Sequence, residues 1–263
     1  MADKEKTVLV TGACINTGVA IVEKFAAEGY NVVFTGRNIE KVHEAEKKYK
    51  EKYPSVQIVG YHMDSLIDER TVDEASVEWM FTDLDEKGIF VETLVLNAAD
   101  QGLGMKIFES PLTDLMKVIN TNVAWNFCLC EHAAQRMKGQ GGGNIVFINS
   151  NTAYRAIPDW VAYVASKGGQ LGLMRALALD LGKYNIRVNA VLPGMIKTDR
   201  WEKNPDFYAK VPSRYTPIGD VAIGADVADA VYYFAAHARN TTGSELVVDG
   251  GNTIQLYPII PDK

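Results

Sequence analysis

The fold of this chain is decided by its first strand and the turn after it, Thr7-Val8-Leu9-Val10-Thr11-Gly12-Ala13-Cys14-Ile15-Asn16-Thr17-Gly18. Thr7–Val10 is a short apolar run that predicts a buried strand, and the two glycines after it indicate a tight turn. A helical pattern follows through Phe25 to about Glu28, and Gly29 ends it. The chain therefore opens with a strand, a glycine turn and a helix.

The same alternation of strands and helices continues to the end of the sequence. Further strands are predicted at Asn31–Thr35, Val56–Tyr61, Thr93–Leu96, Asn144–Ile148, Ile186–Leu192 and Glu245–Val248. Helices are predicted between them, at about Glu40–Lys52, Glu69–Lys87, Ser110–Met137, Trp160–Lys183 and Ala225–Ala236. Short apolar strands that alternate with helices are typical of a parallel sheet covered on both faces. We therefore predict an α/β fold, a single doubly wound, Rossmann-like domain over residues 1–263.

Composition excludes several classes of protein. The 263 residues carry 27 Lys and Arg against 33 Asp and Glu, a net charge of −6 that argues against nucleic acid as a partner. No run of about 18 apolar residues occurs, so we expect no membrane span. The charged start is unlike a signal peptide, and three cysteines cannot form a disulfide framework, so we expect a cytoplasmic protein. The four histidines are scattered without metal-ligand spacing, and we predict no metal site.

In a doubly wound sheet, a ligand binds beyond the carboxyl ends of the strands. Gly12 and Gly18 follow the first strand, where glycines let the backbone approach a pyrophosphate and a helix N-terminus favours its negative charge. A plain strand-to-helix turn is the alternative interpretation of the same glycines. The sequence thus makes this turn the first candidate for a dinucleotide site.

Polar residues also follow the next three strands. Arg37 occupies the place where a carboxylate usually holds the ribose hydroxyl of NAD, and a guanidinium suits the 2′-phosphate of NADP instead. Asp64 and Ser65 are candidates to contact the adenine edge, and Asn97 begins a shelf of small residues for a ribose. An ordinary helix-start or loop-start residue is the alternative interpretation at each of these positions.

Tyr163 and Lys167 are four residues apart on a predicted helix, so their side chains share one face. A free tyrosine titrates at about 10, and a nearby cation lowers the pKa of the phenol because it stabilises the phenolate. Ser150 lies thirteen residues before Tyr163, at the end of an apolar run. The three side chains together are candidates for proton transfer.

These pieces, in this order, resemble the short-chain dehydrogenase/reductase family over essentially the full chain. The motifs that carry the resemblance are Thr11/Gly12/Gly18, Asn97-Ala98, Asn122, Ser150, Tyr163/Lys167, Pro193-Gly194/Thr198 and Asp249-Gly250-Gly251. Three positions depart from the family pattern: Asn16 replaces a glycine of the turn, and Leu96 and Ala99 replace the flanks of the Asn-Asn-Ala-Gly motif. Asparagine adopts the left-handed backbone more readily than most residues, so we expect Asn16 to preserve the turn.

The resemblance implies a role for each matched residue. Tyr163 exchanges a proton with the carbonyl or alcohol oxygen, Ser150 hydrogen-bonds that oxygen, and Lys167 holds the nicotinamide ribose and lowers the pKa of the tyrosine. Asn122 is implied to hold a water that links Lys167 to solvent. With Tyr163 and Lys167, the implied cofactor-binding residues are Gly12, Asn16, Thr17, Gly18, Arg37, Asp64, Ser65, Asn97, Pro193, Gly194, Ile196 and Thr198.

We therefore predict an enzyme that interconverts a secondary alcohol and a ketone, with NADP(H) as the preferred cofactor and NAD(H) as the alternative. The Tyr-x3-Lys spacing differs from the longer spacing of enoyl reductases and argues against double-bond reduction. A segment at about 199–216 is implied to be a substrate lid, and its aromatic residues favour a bulky or cyclic substrate such as a hydroxysteroid. Packing of these aromatics onto the body or a neighbouring subunit is the alternative interpretation.

Two other functions stay open at this point. One is an NAD(H)-dependent polyol or sugar dehydrogenase, or an enzyme of the 3-oxoacyl type. The other is a non-catalytic dinucleotide sensor, which would not need the intact set of Ser150, Tyr163 and Lys167. The resemblance also implies a homotetramer that acts on a small molecule and pairs its long helices between subunits.

Overall fold

Seven parallel strands form a single sheet in this computed structural model, which describes residues 6–198, 201, 203, 205 and 212–257. The strands are β1 (Thr7–Val10), β2 (Asn31–Gly36), β3 (Ile58–His62), β4 (Thr93–Leu96), β5 (Gly143–Ile148), β6 (Ile186–Pro193) and β7 (Glu245–Val248). Their order is β3-β2-β1-β4-β5-β6-β7, with every pair parallel. The predicted α/β doubly wound fold is confirmed.

The helices follow the strands in alternation. They are α1 (Asn16–Ala27), α2 (Ile39–Lys52), α3 (Glu74–Glu86), α4 (Leu112–Ile119), α5 (Trp125–Gln140), α6 (Val161–Gly182), α7 (Pro212–Tyr215) and α8 (Gly224–Tyr232). Two π-helical segments, Asn120–Ala124 and Tyr233–His237, follow α4 and α8, and the 3-10 turns are Asn151–Ala153 and Asn252–Ile254.

The helix predicted at Ala225–Ala236 is α-helical only to Tyr232 and continues as the π-helical segment Tyr233–His237. Two further helix predictions also differ from the structure. The helix predicted from Glu69 begins only at Glu74, because Asp73 caps it by accepting a hydrogen bond from the Ser76 backbone N–H at 3.0 Å. The long helix predicted from Ser110 to Met137 is divided into α4 and α5, and the turn between them, Asn120–Ala124, is π-helical. Such a wider turn is often found at a functional site.

The core lies on both faces of the sheet. On one face, buried residues of the strands such as Leu9 and Leu94 pack against α3, α5 and α6, which contribute Phe81, Trp125 and Met174. On the other face, a second cluster joins the strands to α1, α2 and α8. Burial on both sides explains why the strands are short and apolar throughout.

The strand order reverses beside β1, which pairs with β2 on one side and β4 on the other. At such a switch point, the connections leave in opposite directions and open a crevice beyond the carboxyl ends of the strands. The residues that follow β1, β4 and β5 are Thr11, Asn97 and Asn149. The sheet therefore brings Thr11 and Asn97, which the sequence pointed to, to the same edge as Asn149.

The predicted lid at about 199–216 lies mostly outside the described residues. Two of its aromatic residues, Phe207 and Tyr208, lie outside them as well. Tyr215, at its far end, is described, and its carbonyl accepts hydrogen bonds from Asn252 Nδ2 at 2.8 Å and from Gln255 Nε2. Among the described residues, no helix is both long and apolar enough to cross a membrane.

Candidate active site

The turn after β1 is compact because glycines and one asparagine adopt backbone angles closed to most residues. Gly12 has a φ of +66° and Asn16 a φ of +49°, so the expected left-handed backbone at Asn16 is confirmed. A Cβ at Gly18 would lie 2.5 Å from the Gly12 carbonyl oxygen and 2.7 Å from Ala13 Cα. The turn thus closes on the first turn of α1, and only a glycine at 18 permits that approach.

Helix α1 presents an uncapped N-terminus at this turn. Ile15 is the N-cap and supplies no side-chain hydrogen bond, and the first turn holds no acidic residue. The first backbone N–H groups of a helix lack partners within it, and the helix dipole is positive at that end. A pyrophosphate fits this arrangement in both charge and hydrogen bonding.

Asn97 holds the turn in place from the end of β4. Its Nδ2 donates to the carbonyl oxygens of Thr11 at 2.9 Å and Gly12 at 3.1 Å. Its backbone N–H donates to Thr11 Oγ1 at 3.0 Å, and the N–H of Ala98 donates to the same oxygen. The amide of Asn97 is therefore engaged in shaping the glycine turn, which the sequence did not indicate.

An exposed polar residue follows each of the strands β2 and β3. Arg37 is exposed after β2, and its carbonyl oxygen lies 3.0 Å from Nε2 of His62. Asp64 is exposed after β3 and accepts a hydrogen bond from the backbone N–H of Ser65. Ser65 itself is buried, with its Oγ 3.2 Å from Thr121 Oγ1. Arg37 and Asp64 are thus free to meet a ligand, whereas the hydroxyl of Ser65 packs inward.

The end of β6 closes the other side of the crevice. Gly194 donates its N–H to the Val248 carbonyl at 3.0 Å, and a Cβ there would lie 2.6 Å from Cβ of Asp249. Ile196 pairs with Ala222 in a short parallel bridge that fixes the path of the following residues. The segment Pro193–Thr198 therefore lies against the chain after β7, at the same edge as the glycine turn.

Ser150 and Tyr163 meet beyond the end of β5. Ser150 follows the strand, and its Oγ accepts the Thr152 backbone N–H at 3.2 Å. Tyr163 is buried on α6, with Trp160 edge-on at 5.4 Å between ring centroids. Burial raises the pKa of Tyr163 to about 12, and the hydrogen bond with Ser150 opposes that rise because it stabilises the phenolate. The pair is thus a neutral phenol beside a hydroxyl.

Lys167 lies beneath this pair and is 1% exposed. Its Nζ donates to the carbonyl oxygen of Ile148 at 2.8 Å and to Oε1 of Gln170 at 3.0 Å, and lies 5.4 Å from the centroid of the Tyr163 ring. Burial lowers the pKa of Lys167 to about 7. The sequence led us to expect that Lys167 lowers the pKa of the phenol. In the structure the pKa of Tyr163 is raised instead, because burial outweighs the lowering effect of the hydrogen bond with Ser150.

Asn122 lies in the π-helical segment and is fully buried. Its Nδ2 donates to the Asp100 carbonyl at 2.8 Å and to Ser166 Oγ at 2.9 Å. Its own backbone carbonyl accepts from Asn126 Nδ2 at 2.9 Å and from Gln170 Nε2 at 2.7 Å. Asn122 therefore joins the tyrosine helix to the end of β4, and Gln170 connects it to Lys167.

Sequence reasoning missed Gln170. A signal was present, because residue 170 is three positions after Lys167 and such residues share a helix face. Tyr154, the other tyrosine near Ser150, is half exposed, and its hydroxyl donates to Glu245. In the parts of the chain that the structure describes, no three His, Cys, Asp or Glu side chains are placed to hold a metal ion.

The chain is similar to several known oxidoreductases over nearly its whole length. A family model described as Enoyl-(Acyl carrier protein) reductase matches residues 12–253. The chain is 34% identical to a 3alpha-hydroxysteroid dehydrogenase of Mediterraneibacter gnavus, over 94% of this chain and 96% of that protein. It is 32% identical to an NADP-dependent (R)-specific alcohol dehydrogenase of Lentilactobacillus kefiri, over 96% and 98% of the two chains. Among solved structures, an NAD+-bound xylitol dehydrogenase matches with a TM-score of 0.82 and 28% identity, over 95% and 100%.

Proposed function

The chain belongs to the short-chain dehydrogenase/reductase family of oxidoreductases, and we propose that it interconverts a secondary alcohol and a ketone with NADP(H). The observation that carries this proposal is the placement of Tyr163, Ser150 and Lys167 at the same sheet edge as the glycine turn. A dinucleotide held by that turn would supply or accept the hydride, and the protein would supply the proton and the orientation.

In the reducing direction, Tyr163 gives its hydroxyl proton to the carbonyl oxygen of the ketone. Ser150 Oγ accepts the backbone N–H of Thr152, and its one proton would move from the Tyr163 oxygen to the reacting oxygen when the ketone binds. A phenol buried in this way is reluctant to ionise, so it stays protonated until the reacting oxygen takes the proton. In the oxidising direction Tyr163 must first lose its proton. The phenolate then accepts the proton of the alcohol, while Ser150 donates a hydrogen bond to the reacting oxygen.

The residues present fit a dinucleotide. The uncapped start of α1 and the turn at Gly12 and Gly18 suit the pyrophosphate. The segment from Pro193 to Thr198 and the ammonium of Lys167 would hold the nicotinamide end. Arg37, exposed after β2, supports a preference for NADP(H), because a guanidinium pairs with a 2′-phosphate through charge-assisted hydrogen bonds.

For the substrate, we propose a bulky or cyclic ketone or alcohol such as a hydroxysteroid. Trp160 packs edge-on to Tyr163, so an aromatic ring lies next to the proton donor. Aromatic side chains favour apolar rings because they bury a large area with few polar requirements. The similarity to a 3alpha-hydroxysteroid dehydrogenase supports the same substrate class.

A second candidate is NAD(H)-dependent oxidation of a polyol, which the structural similarity to the NAD+-bound xylitol dehydrogenase favours. The two candidates differ in the charge expected at the adenosine ribose and in the polarity of the substrate. A dinucleotide without the 2′-phosphate would leave Arg37 without a phosphate partner.

We also propose that the enzyme is a cytoplasmic homotetramer. Three free cysteines fit a reducing compartment. Leu112 and Met116 on α4 and Phe127 on α5 are exposed by 70%, 39% and 49%, which suits helices that pair with another subunit.

The experiment that tests the proposed function is a panel of ketones. Oxidation of NADPH and of NADH is followed at 340 nm with steroid, open-chain sugar and acyl ketones at matched concentrations. We expect turnover of at least one steroid or cyclic ketone with NADPH, and slower turnover with NADH. Activity restricted to sugars with NADH would favour the second candidate, and no turnover of any ketone or alcohol would refute the proposal.

A further inference from the structure

We propose that Gln170 is a positioning residue, whose side-chain amide fixes the ammonium of Lys167 and replaces a water as its link to Asn122. The inference rests on the proposed function, because it assigns a part in the same proton-transfer site. The family resemblance implied a water between Asn122 and Lys167; the geometry points to a residue of this chain instead.

The amide of Gln170 is fully buried and engaged at both ends. Nε2 donates to the backbone carbonyl of Asn122 at 2.7 Å. Oε1 accepts from Lys167 Nζ at 3.0 Å and from Asn149 Nδ2 at 3.1 Å. One side chain on α6 therefore connects the π-helical segment, the lysine and the residue after β5.

The carbonyl oxygen of Asn122 has no acceptor site left for a water. A carbonyl oxygen offers two lone pairs, and here Asn126 Nδ2 and Gln170 Nε2 use both, at 2.9 Å and 2.7 Å. An amide side chain is a donor and an acceptor but does not ionise at ordinary pH. Gln170 thus holds Lys167 in place and passes no proton between Asn122 and the lysine.

The surroundings of Lys167 are otherwise neutral. Its other hydrogen-bond partner is the carbonyl oxygen of Ile148 on β5, and its own carbonyl accepts from Asn149 Nδ2. Asp100 contacts Asn122 through backbone atoms. Among the described residues, Tyr163 is the titratable group that faces the ammonium, and burial is the cause that lowers the pKa of the lysine to about 7. A charge introduced at position 170 should therefore act on Lys167 strongly.

Two variants at this position should move the titration of Lys167 in opposite directions. In Gln170→Glu, a carboxylate of nearly the same shape takes the place of Oε1, and we expect the pKa of Lys167 to rise by about one to three units. In Gln170→Met, the acceptor is lost and the ammonium is less well solvated, so its pKa should fall. Gln135→Glu on α5, at an exposed position, adds the same charge elsewhere and serves as the control.

Two measurements report the titration of Lys167 in these variants. The first is the dissociation constant of NADPH between pH 5.5 and 9.5, measured by its fluorescence, since a protonated lysine favours the anionic dinucleotide. The second is kcat for ketone reduction over the same range. We expect both basic-side midpoints to move up in Gln170→Glu and down in Gln170→Met, and to stay unchanged in Gln135→Glu.

The inference is overturned if every folded variant at position 170 keeps the wild-type midpoints, even if kcat falls, because a purely structural role would lower activity without shifting them. If Gln170→Glu does not fold by circular dichroism, the shift in Gln170→Met decides alone. A protein that reduces no ketone, but whose NADPH-binding midpoint shifts as described, would refute the proposed function and support the role of Gln170.

Discussion

Replacing Gly18 by alanine tests how the dinucleotide turn is built. Gly18 lies in the first turn of α1, where an added Cβ would meet the Gly12 carbonyl oxygen at 2.5 Å, Ala13 Cα at 2.7 Å and Asn97 Nδ2 at 2.9 Å. Two of these atoms are backbone, so relief requires the turn and the helix to separate. We expect the fold to persist, with the turn displaced from the helix N-terminus.

The magnitude follows from two opposing effects. Alanine in an open helix position is more favourable than glycine by about 1 kcal/mol. Extra methyl groups in a closely packed site cost about 1–3 kcal/mol. The matched control is Gly139→Ala near the end of α5, an exposed helical glycine at which a Cβ would meet nothing within 4 Å. The helix gain is common to both positions, so Gly18→Ala should be less stable than Gly139→Ala by roughly 1–3 kcal/mol.

Urea unfolding followed by circular dichroism measures the stability, and a fluorescence titration with NADPH measures the affinity. We expect Gly18→Ala to bind NADPH at least about tenfold more weakly, a difference of about 1.4 kcal/mol, and Gly139→Ala to bind like wild type. If the two variants matched in both stability and affinity, the close approach of α1 to the turn would not be required for the site.

Three further changes address separate parts of the site. Arg37→Ala should weaken NADPH binding by about 1.5–3 kcal/mol and leave NADH binding nearly unchanged; equal losses for both would refute the 2′-phosphate contact. Asn97→Leu should lower the free energy of unfolding by about 1–3 kcal/mol, because two carbonyls of the turn lose a donor, and wild-type stability would contradict that role. The folded-state pKa of Lys167 is below its unfolded value, so the stability of wild type relative to Lys167→Met should rise with pH above about 7, by up to about 1.4 kcal/mol per unit. Urea titrations at pH 7 and 9 check this, and parallel curves would contradict it.

The sheet could be predicted from the sequence because its strands are apolar runs bounded by glycine or polar residues. Thr7–Val10, Thr93–Leu96 and Glu245–Val248 have the predicted bounds. The π-helical turn at Asn120–Ala124 could not be predicted, since one wide turn leaves the hydrophobic periodicity of the helix almost unchanged. Packing, rather than local propensity, decides that feature.

Part of the candidate site could also be predicted from the sequence. Spacing along a helix indicated that Tyr163 and Lys167 are neighbours, and the backbone preference of asparagine indicated the left-handed angle at Asn16. The burial of individual side chains could not be predicted from the sequence, and burial shifts the pKa of both Tyr163 and Lys167. For the same reason Gln170 escaped notice, because a sequence does not distinguish a glutamine buried in a polar network from one in solvent.

The most direct test of the central claim, that Tyr163 supplies the proton to the reacting oxygen, is ketone reduction by Tyr163→Phe. The substitution removes the hydroxyl and keeps the ring that packs against Trp160. Proton donation by a positioned side chain contributes about 10²–10⁴-fold. We predict that kcat falls by at least about a hundredfold while the dissociation constant of NADPH changes little. A variant that reduces the ketone at a rate comparable to wild type would contradict the account.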